Sequence, residues 1–133
     1  MTGTKYGNLI QEAPFARDRL GLVAHLYGGE HFGGTYFSPA WVGITAPLFM
    51  MEKSHVHDYD EYLFFFGGDM ADVTDFAAEV ELCLGEEEEK HVITRPCVVY
   101  VPRGLAHCPL NFKVVRKPVM FMDVSISPAY GRK

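Results

Sequence analysis

Apolar and polar positions along this chain change over in short bursts, without helical spacing. From Leu20 onward, runs rich in β-branched and aromatic residues recur at 22–26, 36–37, 42–45, 48–52, 62–66, 78–84, 91–94, 97–101 and 119–126, each bounded by Gly, Pro or Asp. Runs of this kind predict strands. No stretch of ten or more residues carries an apolar period of 3.6, so long helices are not expected. Many short strands with regular punctuation predict an all-β sandwich or barrel. The segment 78–84 alternates and is followed by Gly85 and four glutamates before the next run. That reads as a hairpin with a charged, solvated tip. Adjacent carboxylates in a run do not converge on calcium as spaced oxygen ligands do. The glycine-led, polar stretch 67–75 predicts a loop, one that lies in sequence where it could cover an opening.

Residues 1–19 are irregular in pattern, with room for one short helix, and carry Tyr6, Leu9, Ile10 and Phe15. We read 1–19 as an N-terminal arm and 20–133 as a single domain, the natural count for 133 residues. A net charge of −5 disfavours nucleic acid as a partner. No apolar run approaches the ~20 residues of a membrane helix, and the N-terminus has no secretory h-region. Cys83, Cys97 and Cys108 are an odd, scattered set without CxxC and read as reduced thiols of a cytoplasmic protein.

The candidate chemistry lies in two segments. In His55-Val-His57-Asp-Tyr-Asp-Glu61, residues i and i+2 of a strand share a face, so His55 and His57 can bind one ion together. Glu61 is an even step further and joins them if no bulge intervenes. His107, in Pro102-Arg-Gly104-Leu-Ala-His107, comes from a second strand. Pro102 can end a strand, and Gly104 permits the positive φ of a tight turn. Three imidazoles and one carboxylate suit one divalent transition metal among Fe, Mn, Ni, Cu and Zn. Cys108 follows His107 directly and faces away on a regular strand. His25, His31 and His91 have no spaced partner and read as structural or exposed.

These segments resemble the paired motifs of the cupin superfamily. His55, His57, Glu61 and Gly68 match the first motif, and Pro102, Gly104, His107 and Asn111 the second. The leading glycines are replaced by Phe49 and Pro96. The resemblance covers about residues 48–126 and implies a small single-domain bacterial cupin, with a double-stranded β-helix or jelly-roll barrel and a metal on His55, His57, Glu61 and His107. Single-domain cupins include lyases, isomerases, cyclases and dioxygenases, so the fold does not choose among them.

Strand parity then suggests the pocket. On one strand through 48–57, Met51 and Lys53 share the face of the histidines. Leu63 and Phe65 share that of Glu61, and Pro109 and Asn111 that of His107. Lys53 is the candidate for moving a proton or meeting an anion, and Arg103 for meeting a carboxylate. The ligand set suggests a small metalloenzyme, and the mainly apolar walls favour a partly aromatic or aliphatic substrate carrying a carboxylate or enol. Sugar-phosphate isomerisation, and small-molecule binding without chemistry, are the alternatives. The run 62–66 is apolar on both faces, which predicts a homodimer that covers the outer one.

Overall fold

The structure, a computed structural model, describes residues 3–130. It contains ten strands: β1 (Phe15–Asp18), β2 (Gly21–His25), β3 (Ser38–Ile44), β4 (Leu48–Met51), β5 (Glu61–Gly67), β6 (Ala78–Leu84), β7 (Glu89–Ile93), β8 (Cys97–Val101), β9 (His107–Val115) and β10 (Val119–Ser125). They form two antiparallel sheets, of order β1-β2-β3-β10-β5-β8 and β4-β9-β6-β7. A 3-10 turn at Gly7–Leu9 and a four-residue helix, α1 (Gly28–His31), are the helical elements among the described residues.

Period-two burial explains why the sheets stack. Along β5, Glu61, Leu63, Phe65 and Gly67 point inward and Tyr62, Phe64 and Phe66 outward. Val80 and Leu82 of β6, with Val119 and Phe121 of β10, complete the inner faces. Phe65 and Phe121 of the larger sheet meet Phe112 of the smaller, with ring centroids 5.1–6.1 Å apart. Burying one such ring stabilises the fold by about 1.5–3 kcal/mol.

The β6–β7 hairpin closes through Gly85 at φ +84°, with Glu86, Glu87 and Glu88 in solvent. The nine-residue β9 coincides with none of the patterned runs, and two further segments differ from the sequence patterning. Phe15–Asp18 lies within the stretch expected to be irregular, yet it pairs with β2 as an exposed edge strand, and Phe15 packs edge-on against Trp41 at 5.3 Å. Residues 36–37 form no strand: both side chains are exposed, and pairing begins at Ser38.

The ladder also sets the ends of the molecule. Glu61 opens β5, opposite Val101 at the end of β8 and Ser125 at the end of β10. His107 opens β9 in the other sheet. Both sheets therefore contribute to the same end. The loop 67–75 leaves the far end of β5, where Gly67 N–H donates to Val73 O and Lys117 pairs with Asp75 at 2.6 Å. It lies away from the histidines and does not cover them.

Candidate metal centre

His55, His57 and His107 stand with ring centroids 4.4–5.0 Å apart. Each is placed by backbone bonding. His55 and His107 form an isolated antiparallel bridge. The Pro102–Leu105 turn closes through Leu105 N–H to Pro102 O at 3.0 Å, with Gly104 at φ +85°. Gly104 N–H donates to His57 O, also at 3.0 Å. That turn needs left-handed backbone at its third residue, which explains a glycine where an added Cβ would meet nothing within 4 Å.

Glu61 reaches the cluster from β5. Its Oε1 lies 3.0 Å from His107 Nε2 and 3.5 Å from His57 Nε2, and all three side chains are 2% exposed. Neither Glu61 Oε1 nor His107 Nε2 makes a hydrogen bond, although both are shut off from solvent. Burying polar atoms in this way costs free energy unless something binds them. His107 Nδ1 is 3.0 Å from Leu105 O and His55 Nδ1 3.3 Å from Lys53 O. With Nδ1 as donor, His107 turns its Nε2 lone pair toward Glu61, the arrangement that orients an imidazole for a cation. His57, Glu61 and His107 hold ligand atoms close enough together to share one ion, and so do His55, His107 and Cys108. The donor set is nitrogen-rich with one carboxylate, and it fits a divalent transition metal.

Burial lowers the pKa of His107, keeping it neutral as a ligand must be. Burial raises that of Glu61, while a hydrogen bond with Asp123 opposes the rise. Asp123 is held well above the ordinary carboxylate range, first by burial and then by its hydrogen bond and charge repulsion with Glu61. The two acids share a site whose charge a cation would offset.

Several side chains sit otherwise than strand parity suggests. β4 stops at Met51 after a bulge between Phe49 and Met51, so 48–57 is not one strand. Met51 still walls the chamber at the histidines, whereas Lys53 is exposed and serves the site through its carbonyl. Leu63 walls the chamber; Phe65 is fully buried in the aromatic core. Arg103 is exposed, ion-paired to Asp58 at 2.6 Å. Asn111 pairs in the ladders with Phe49 and Glu81, alternating with the inward Leu110 and Phe112. The parity change comes from an irregularity between Leu82 and Leu84 opposite β9, together with φ +81° at Cys108. The same irregularity turns Cys108 into the chamber wall, correcting the expectation that it faces away. None of the three cysteines is disulfide-bonded.

A chamber of about 40 Å³ opens on the cluster. It shares Met50, Met51, Phe121, Asp123 and Tyr130 with a larger one of about 200 Å³, which runs between β2, β3 and β10 and also includes Arg19, His25 and Tyr27. His25 thus faces a cavity. His31 accepts from Tyr27 N–H at 2.9 Å, and His91 is exposed beside Glu89. Asp123 has a legible signal in the sequence, because it falls on the inward parity of β10 with Val119, Phe121 and Ser125. Arg19 and Tyr130 have none, since each lies outside any patterned run.

No family model matches the chain, and no curated protein matches its sequence. Solved structures do. The formate complex of Lactobacillus farciminis oxalate decarboxylase aligns over 91% of this chain and 33% of that one, at TM-score 0.61 and 15% identity. The S161A mutant of the Bacillus subtilis oxalate decarboxylase aligns over 92% and 29%, at 0.58 and 13%. A second structure of the Bacillus enzyme, reported for its Mn(II) centres, gives 0.57 and 14%. The chain spans about a third of the length of these enzymes. Likeness at this identity speaks for architecture, and the architecture is the cupin fold.

Proposed function

We propose that this protein is a small metalloenzyme that binds one divalent transition metal through His55, His57, Glu61 and His107 and acts on a carboxylate- or enol-bearing small molecule. The observation that carries this reading is the buried approach of Glu61 Oε1 to His107 Nε2, 3.0 Å apart and without a hydrogen bond. Such an approach suits two atoms that bind a third. The Mn(II) centres named for a structural neighbour agree with it. When bound, the metal would supply Lewis acidity toward two substrate oxygens.

The chain's own groups complete the site. Leu105 O fixes the His107 ring, and Met50, Met51, Leu63 and Phe121 give the chamber apolar walls. Asp123 Oδ1 is buried and makes no hydrogen bond, and Asp123 borders both chambers, so it is placed to hold a proton beside a bound ligand. Lyase, isomerase, cyclase and dioxygenase chemistry are all compatible with these groups.

The test is incubation of the purified protein with a panel of carboxylates and enols under each of Fe, Mn, Ni, Cu and Zn, in air and without it, followed by mass spectrometry. Metal-dependent conversion that disappears in Glu61→Gln is the expected result. Metal-dependent binding with no conversion under any condition would favour the second reading, a non-catalytic small-molecule binder. Sugar-phosphate isomerisation is disfavoured because Arg19 is the one Lys or Arg among the residues walling the two chambers.

A further inference from the structure

The geometry points to the 200 Å³ chamber between β2, β3 and β10 as the binding site for a ring-sized apolar body whose attached oxygens reach the His–Glu cluster. The inference rests on the metal reading above and specifies the substrate's shape.

Three observations carry it. The first is size. An apolar cavity of roughly 150 Å³ is large enough to hold benzene, and this chamber measures about 200 Å³. A two- or three-carbon acid would leave most of it unfilled. The second is chemistry. Leu20, Leu26, Ala40, Val42, Met50 and Phe121 give the wall its apolar surface. The wall also carries polar members, among them His25, Asp123 and Ser125; Ser38 is already committed, its Oγ accepting from Gly28 N–H at 3.1 Å and donating to Ser127 O at 2.6 Å. The third is adjacency. Asp123, Phe121, Met50, Met51 and Tyr130 border both chambers, so the two lie side by side and a molecule spanning them would place its head at the histidines and its body in the larger space.

Arg19 adds a preference at the rim. Its guanidinium is tied by one 2.9 Å hydrogen bond to Met50 O. The remaining N–H donors favour a ligand whose ring carries an oxygen acceptor at its far edge. The ligand class is therefore a 2-oxo acid, enol or vicinal-oxygen compound bearing one aromatic ring or an equally large aliphatic group.

Two measurements test this. In metal-free protein, saturation-transfer NMR with benzyl alcohol probes the chamber alone. Transfer is expected in the wild type and should be lost in Ala40→Phe, because Ala40 lies on the inward parity of β3 with Ser38 and Val42 and a ring there fills the space. In Mn(II)-loaded protein, calorimetry compares pyruvate with phenylpyruvate, which share a head and differ by the ring. Phenylpyruvate should bind at least about tenfold more tightly, given the apolar area of a phenyl group. Absence of transfer to wild type, or equal affinities in protein shown by elemental analysis to carry metal, overturns the inference. Transfer without any metal uptake overturns the metal reading and leaves the chamber standing. Should Ala40→Phe not fold, the wild-type comparison of the two oxo acids decides alone.

Discussion

His55 and His107 hold each other by backbone: each N–H donates to the other's carbonyl at 3.0 Å, and their rings lie 4.4 Å apart. The two halves of the candidate site are thus joined by an isolated β-bridge between segments about 50 residues apart in sequence. Gly104 N–H to His57 O adds a third tie across the same gap. The ligand cluster is pre-organised by main chain, which a side-chain substitution leaves in place.

Metal content should therefore depend on the side chains one by one. His57→Ala and Glu61→Gln are each expected to lose most bound metal while keeping the fold, as read by elemental analysis and circular dichroism. Metal should also raise the thermal midpoint of the wild type, since a ligand at a hundredfold excess over its Kd stabilises the folded state by about 2.7 kcal/mol. Equal metal content in wild type and both variants would sink the site.

Occupancy should fall in mild acid. A neutral imidazole binds metal, and the pKa of His107 is already lowered by burial. In metal-free protein, this depressed base makes no contribution well above pH ~6.5, the unfolded value. As pH falls below that value, the unfolded chain takes up the proton first, and the folded state loses stability. Bound metal lowers the apparent histidine pKa values further. Occupancy followed from pH 7 to about 4.5 should drop, and a flat titration would contradict histidine ligation.

Asp123 provides a stability test of opposite sign. Its folded pKa is raised, so in metal-free protein its contribution is present at low pH and lost as pH rises from the ordinary carboxylate value through the raised one. Asp123→Asn removes the buried acid and should stabilise the metal-free protein at neutral pH by roughly 1–3 kcal/mol, the usual scale of an imperfectly satisfied buried polar group. Chemical denaturation at pH 7.5 and pH 4 measures it. An equal effect at the two pH values would exclude the ionisation argument.

Gly104→Ala should be costly although space is open around it. The residue stands at φ +85°, and non-glycine residues in left-handed backbone cost roughly 1–2 kcal/mol. The same change should weaken metal binding, because this turn holds His57. A variant as stable as wild type in urea would refute the argument.

A homodimer is expected from the outer face of β5 and β8. Tyr62 stacks on Tyr100 at 5.2 Å, Phe64 meets Phe66 at 5.9 Å, and Val98 and Tyr100 are about half exposed. Tyr6, Leu9 and Ile10 of the arm are also exposed. A second copy would cover this apolar surface. Light scattering at tens of micromolar should give twice the chain mass, and a monomer there would refute it. A dimer that survives deletion of 1–19 would refute only the arm's part.

The sequence by itself determined the strands that bury one face and the histidines and glutamate that come together in the candidate site. Strands β6 and β8 coincide with runs 78–84 and 97–101, because period-two burial writes itself into composition. The Pro102–Gly104 turn is legible because few residues adopt its backbone. Tertiary structure alone decided what lies between those signals. Phe15–Asp18 became a strand through pairing with β2, although none of its residues is buried. Cys108 turned inward and Asn111 out of step with it because β9 is irregular opposite Leu82–Leu84, and counting by twos cannot see an irregularity that depends on a partner strand. Arg19, His25 and Tyr130 came to wall one chamber through long-range packing that no local pattern encodes. Local periodicity records which face of an element is buried, whereas a cavity is a relation among elements distant in sequence.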